Sequence, residues 1–163
     1  CGRLGFSYFT PVRSGTRVDV GGLDSGGDVG VSEISGLQNW LALEHESIWI
    51  YQLIGARVAE LTAPANGQAA AHRRRRDQLG KMITALGSNP VATELSYDVA
   101  PVIDGKAARK LARGVEARIA AACVSMVAVL ADADREMAVD GLRTAALTQV
   151  RWGGSAEPFP GLD

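Results

Sequence analysis

Few side chains in this 163-residue sequence are equipped for acid–base or metal chemistry. The histidines are His45 and His72, and the carboxylates that interrupt apolar helical stripes are Glu44 and Glu116. Tyr51 shares a stripe with Glu44, and Arg76 shares one with His72. A carboxylate, imidazole or guanidinium on the inward face of a helix must find a partner when it is buried. Glu44, Tyr51, His72, Arg76 and Glu116 are therefore read as a candidate buried polar cluster. The same residue types serve three kinds of chemistry: proton transfer, metal ligation and a structural ion pair. Cys1 and Cys123 have no partner at metal-ligand spacing, which excludes a Cys-x-x-Cys zinc site. Cys123 sits in an alanine-rich helical stretch and reads as a small buried residue. Cys1-Gly2 resembles the start of a mature bacterial lipoprotein, so Cys1 is a candidate lipid anchor to the membrane.

Composition narrows the classes. Hydrophobic residues make up 47% and charged residues 21%, ordinary values for a globular domain with a core of its own. A net charge of -1 gives no field that would favour nucleic acid. The run Arg73-Arg74-Arg75-Arg76 is split by helical spacing, with Arg76 on the core stripe and the others around the outside, so a nucleic-acid partner is not expected. No glycine-rich loop joins a strand to a helix, which removes support for a nucleotide fold.

The elements that position these residues follow from apolar periodicity. Leu37, Leu41, Glu44, Ile48, Tyr51, Gly55, Val58 and Thr62 recur at alternating spacings of about three and four, which keeps them on one helix face. Trp40, Leu43, Ile50, Ile54 and Leu61 widen that face, so this first helix must be covered by several neighbours. Its start is placed near Ser35, where Ser35 and Gln38 fit a capping box, and its end near Thr62, ahead of Pro64. A second helix is expected from about Asn66 to Leu86, with Gly87 past its end. Residues 88–103 carry two prolines and no helical period. Extended, they span about 50 Å, enough to run the length of a helix. A third helix starts after Asp104, a candidate N-cap, and a fourth runs from about Arg135 to Trp152. The tail around Pro158-Phe159-Pro160-Gly161-Leu162 cannot be helical and is expected to fold Phe159 and Leu162 onto the bundle. Residues 1–33 hold eight glycines and no persistent period. They read as an extended N-terminal arm, and residues 34–163 as the bundle. Phe6, Tyr8 and Phe9 are the arm's aromatic cluster and the candidate partner-binding residues.

The chain resembles a ferritin-like domain-of-unknown-function family of actinobacterial envelope proteins. The likeness spans roughly residues 35–162. It is carried by Glu44-His45, Tyr51 and Gly55-Ala56-Arg57, then by His72 with Arg75-Arg76-Asp77-Gln78-Leu79. Glu116, Arg118, Arg151-Trp152 and Pro158-Phe159-Pro160-Gly161-Leu162 complete it. The resemblance implies an all-α, ferritin-like four-helix bundle with a long connection between helices 2 and 3, often on secreted or lipid-anchored chains. It brings no established activity.

Ferritin-like di-iron proteins take one Glu from each of two helices and a Glu-x-x-His from each of the other two. Here Ala69 stands where the Glu before His72 would be, and the fourth helix has no histidine, so that site cannot be completed. A hairpin turning near Ala63 sets Glu44 opposite Ile83 and His72 opposite Gly55. The two would then lie roughly 15 Å apart at the helical rise, too far to share a metal. The same register puts Tyr51 opposite Arg76 and near Glu116. A buried Arg76–Glu116 ion pair is therefore expected, with Arg143 as a partner for Glu44 and with His45 and Glu46 on the surface. No metal, cofactor or catalytic residue is assigned.

These readings converge on a non-catalytic, lipid-anchored protein on the extracytoplasmic face of the cell membrane. It would act as an accessory or scaffold subunit of a membrane protein complex, docked through the N-terminal arm. The alternative is a metal-binding or ferritin-like oxidoreductase with an incomplete site built on Glu116, His72 and either Glu44 or Asp140. A third reading is a small-molecule binder with a pocket between helices.

Overall fold

The computed structural model describes residues 25–162, with side chains from residue 32 onward. Cys1, Phe6, Tyr8 and Phe9 lie outside the described residues. Helices α1 (Ser25–Arg57), α2 (Thr62–Ala85), α3 (Gly105–Val129) and α4 (Asp132–Arg151) form an all-α four-helix bundle, with no strand among the described residues. A 3-10 turn, Ala59–Leu61, joins α1 to α2. Helix α1 packs against both α2 and α3, and α3 packs against α4. Among the described residues, no helix is long and apolar enough to cross a membrane.

The wide apolar face of α1 explains its central place. Leu37, Trp40, Leu41, Ile48, Ile50, Tyr51, Ile54 and Val58 are all buried. All of these but Ile48 fall into two apolar groups. The first holds Leu37, Trp40 and Leu41 with Leu79, Ile83, Ile119, Cys123 and Met126. The second holds Ile50, Tyr51 and Ile54 with Leu61, Ala65, Ala69, Ala112, Val115 and Trp152.

The long connection does what its length allows. It runs back along α1, held by Gln38, whose amide donates to Asn89 O at 2.7 Å and accepts from Val91 N at 2.8 Å. Tyr97 packs on Trp49 further down, with ring centroids 5.9 Å apart. Gly105, at the start of α3, lies beside Glu60 and Val58 near the α1–α2 turn. α3 therefore begins at the end of the bundle where α1 finishes. Asp104 caps α3 by accepting from Ala107 N at 2.7 Å, as its sequence position predicts. Gly87 and Gly153 close α2 and α4 at φ of +76° and +86°, a region glycine enters without a Cβ penalty.

Four expectations are corrected. α1 begins at Ser25 rather than near Ser35, so the last part of the expected arm is helical. Ser35 Oγ donates to Ser32 O within the helix, and Gln38 serves the connection, so no capping box forms. Each glycine in this added stretch costs only about 1 kcal/mol, less than starting a new helix would. The α1–α2 turn falls at Val58–Leu61, not near Ala63, because Pro64 is the third residue of α2 rather than a terminator. The first four N–H groups of a helix have no intrahelical acceptor, so a proline there removes no bond. Finally, Phe159 and Leu162 point outward, 72% and 64% exposed. The tail instead touches α3 through Gly161, where a Cβ would sit 2.8 Å from the Ala120 backbone.

One glycine in α4 is dictated by packing. A Cβ on Gly141 would lie 2.7 Å from the Trp40 ring and 2.9 Å from Cys123 Sγ. Gly141→Ala is therefore expected to destabilise the bundle by about 1–3 kcal/mol, the usual range for overpacking a core. A thermal melt showing no loss of stability would contradict this packing account.

Candidate functional site

Each helix contributes to the buried polar side chains between the two apolar groups: Glu44 from α1, His72 from α2, Glu116 from α3 and Thr148 from α4, with Ser47 of α1 also buried and donating to Leu43 O at 2.7 Å. The α1–α2 register brings the first two together. Gly55 faces Thr62, Ala65 and Asn66 across the hairpin, and Thr62 Oγ1 donates to Gly55 O at 2.8 Å. This early turn places Glu44 against His72 instead of Ile83, a displacement of about 16 Å along α2 at the helical rise.

His72 lies between the two carboxylates. Its Nδ1 is 2.7 Å from Glu44 Oε2, and its Nε2 is 3.2 Å from Glu116 Oε1. Tyr51 donates its hydroxyl to the same Glu116 oxygen at 2.6 Å. Trp40 Nε1 donates to Glu44 Oε1 at 2.8 Å. The Tyr51 ring stacks on the imidazole, with centroids 5.3 Å apart, and leans on Trp152 from the other side. Glu44 and Glu116 are each 2% exposed and His72 is 7% exposed, so these are charges in a low-dielectric interior.

Burial by itself would push the His72 pKa down. The hydrogen bonds to Glu116 and Glu44, together with their charges, outweigh burial and raise it to about 9. At neutral pH His72 is therefore an imidazolium that donates from both ring nitrogens. Burial raises the Tyr51 hydroxyl far above its ordinary range, and the neighbouring Glu116 charge adds to this. The buried thiol of Cys123 is likewise held protonated, by burial and then by the Glu44 charge.

The expected cluster of Glu44, Tyr51, His72, Arg76 and Glu116 thus has four members in contact and one outside. Arg76 faces outward and pairs with Asp77 at 2.7 Å, so the Arg76–Glu116 pair does not form. The register error behind it is the misplaced turn. Arg143 pairs with Asp140 at 2.8 Å on the surface, not with Glu44. His45 is half-buried and reaches Val91 O at 3.2 Å. Burial lowers its pKa. Glu46 forms a two-pronged pair with Arg118, at 2.6 and 2.9 Å.

Two participants escaped the sequence. Arg75, not Arg76, turns inward. Its guanidinium donates to Met137 O at 2.8 Å and to Asp140 at 3.3 Å, and lies 5.4 Å from the Trp40 ring centroid. It ties α2 to α4. Thr148 is 1% exposed, and its hydroxyl has no hydrogen-bond partner among the described residues. A threonine four residues after Thr144 and close to Ala145 and Ala146 does not stand out as buried, and only the packed bundle places it on the same cavity as His72.

The site opens into a cavity of about 60 Å³ between α2 and α4. Its floor is Glu44, His72, Glu116 and Thr148, and its mouth is Gln68, Ala71, Arg75 and Thr144. Glu44 Oε2 and Glu116 Oε1 lie at opposite edges of the imidazole. They do not converge on one point as ligands would, and among the described residues no three Asp, Glu, His or Cys side chains group as a metal site.

The comparisons with known proteins agree with this fold. None of the curated proteins matches the chain. A solved structure, described as a conserved hypothetical protein, rv2844, from Mycobacterium tuberculosis, is similar with a TM-score of 0.72 at 27% identity, over 76% of this chain and 89% of that one. Residues 36–163, from within α1 through the C-terminal tail, match the Domain of unknown function (DUF4439), and the chain belongs to that family.

Proposed function

We propose that this protein is a non-catalytic, ferritin-like bundle that serves as an accessory or scaffold subunit of a membrane protein complex. The observation that carries the non-catalytic part is the saturation of His72, whose two ring nitrogens are both spent on carboxylates. An imidazolium donating from both nitrogens has no lone pair for a metal and cannot act as a base. A ferritin-like di-metal centre also requires a Glu-x-x-His on each of two helices. Ala69-x-x-His72 and Ala145-x-x-Thr148 stand at that spacing on α2 and α4. Two carboxylates and one histidine of such a set are absent, and the donor set does not fit the group. What remains is a polar layer that locks three helices in one register.

On this reading, binding falls to the outside of the bundle and to the arm bearing Phe6, Tyr8 and Phe9. The same proposal places the protein on the extracytoplasmic face of the membrane, held by lipid on Cys1. The glycines at 2, 5, 15, 21 and 22 suit a tether between membrane and bundle. Two measurements on membrane-extracted protein test the proposal. A pull-down is expected to return a stable membrane complex, and intact mass a diacylglyceryl group on Cys1. A stoichiometric transition metal in protein purified without chelator would overturn the non-catalytic part. A pull-down that yields no stable partner would overturn the scaffold part.

A further inference from the structure

We propose that the cavity between α2 and α4 is a built water site and the port through which His72 exchanges its proton with solvent. This rests on the reading of the Glu44–His72–Glu116 cluster as proton-charged and metal-free. Three observations carry it. The first is size: about 60 Å³ is well above the roughly 10–15 Å³ that one water needs. The second is the Thr148 hydroxyl, 1% exposed and without a partner, on the cavity floor. A buried hydroxyl left unpaired is costly, and a roomy polar cavity is where water satisfies it. The third is Glu116, which also lines the cavity. Its hydrogen bonds from Tyr51 and His72 both fall on Oε1, which leaves Oε2 without one among the described residues.

The surroundings of His72 leave one direction open. Glu44 and Tyr51 close it from α1, and Glu116 from α3, with Cys123 packed on that same helix. On α2, Arg75 is committed to Met137 O and Asp140. From α4 the floor receives only the Thr148 hydroxyl, and the mouth leads out past half-buried Gln68 and exposed Thr144. In the exchange step the Nε2–H bond breaks as a Glu116 O–H bond forms. That proton then passes to cavity water and on to hydroxide or buffer base at the mouth, while the electron pair stays on Nε2 until a proton from solvent returns to it along the same path and restores the imidazolium.

Thr148→Val keeps the shape and removes the hydroxyl. Exchange of the His72 ring N–H protons with water, read by NMR at neutral pH on the full chain, is expected to slow roughly tenfold, a change of about 1.4 kcal/mol in the barrier. The backbone amides of α2 should keep their protection, which shows that the variant is folded. The melting temperature is expected to fall, because the cavity water loses a partner. A melting temperature that rises would mean the hydroxyl was unpaired in a dry cavity, and would overturn the water site. Ring protons that exchange no faster than the α2 amides in the unsubstituted protein would overturn the port. Failure of the underlying reading looks different: ring N–H signals absent from both proteins, together with stoichiometric metal, would show that the cluster is not proton-charged.

Discussion

Glu116→Ala is expected to cost the bundle about 3–5 kcal/mol, the range for removing one member of a buried ionic pair. Three effects act together. The imidazolium of His72 loses one of its two carboxylates, at 3.2 Å. The Tyr51 hydroxyl, buried and donating at 2.6 Å, loses its acceptor. A void opens between Val115, Ile119 and the stacked Tyr51–His72 rings, adding a cavity term. Glu116→Gln fills the same volume and can still accept from Tyr51, so it should fall between the wild type and alanine. Urea unfolding at pH 7 measures the difference. Equal stability of the alanine variant and the wild type would show that Glu116 is not holding α3 to α1 and α2. By contrast, Arg76 is spent on an exposed pair with Asp77, and such pairs contribute about 0–1 kcal/mol.

Stability is also expected to fall as pH rises from about 6.5 to about 9, with His72 contributing roughly 3 kcal/mol of the loss. The sign follows from proton counts. In the unfolded chain His72 titrates near its ordinary 6.5, whereas in the bundle it holds its proton to about 9. Between these values the folded state carries one more proton than the unfolded state. Unfolding then releases a proton, and raising the pH favours unfolding by about 1.4 kcal/mol per unit. The contribution is fully present below 6.5 and is lost as pH passes 9. Tyr51 and Cys123 are both pushed upward by burial, so they stay protonated in the fold while the unfolded chain ionises the thiol near 9 and the phenol near 10, which lowers stability further at the alkaline end. Urea unfolding at intervals from about pH 6.5 to 8, below the ordinary range of the thiol and phenol, tests the point, with His72→Gln as the control expected to lose the slope. A wild-type protein equally stable at the two ends of that range would mean that His72 is not charged between its carboxylates.

Helical faces, caps and the turn-closing glycines were legible in the residues alone. The apolar stripe of α1, the cap at Asp104 and the glycines at 87 and 153 are local properties, set by a period near 3.6 residues and by conformations only certain residues adopt. The candidate status of Glu44, Tyr51, His72 and Glu116 was legible for the same reason, since a polar residue on a buried stripe stands out against its neighbours. Their mutual contacts were not. Whether Glu44 meets His72 or Ile83 depends on where the α1–α2 turn falls, and a shift of a few residues there moves every opposing pair by about three helical turns. Pro64 has opposite meanings as a terminator and as a first-turn residue, and the sequence around it does not choose. Arg75 rather than Arg76 turns inward because α4 covers the side of α2 that Arg75 faces, while Arg76 pairs with Asp77 on the surface. Thr148 lies furthest from any local signal, because it becomes significant only when α4 closes over the cavity floor. The sequence by itself determined most of the buried apolar stripes and four of the polar residues on them, Glu44, Tyr51, His72 and Glu116. Tertiary packing decided which of those residues meet, because opposing helices align by the path of the chain between them and not by the period within them.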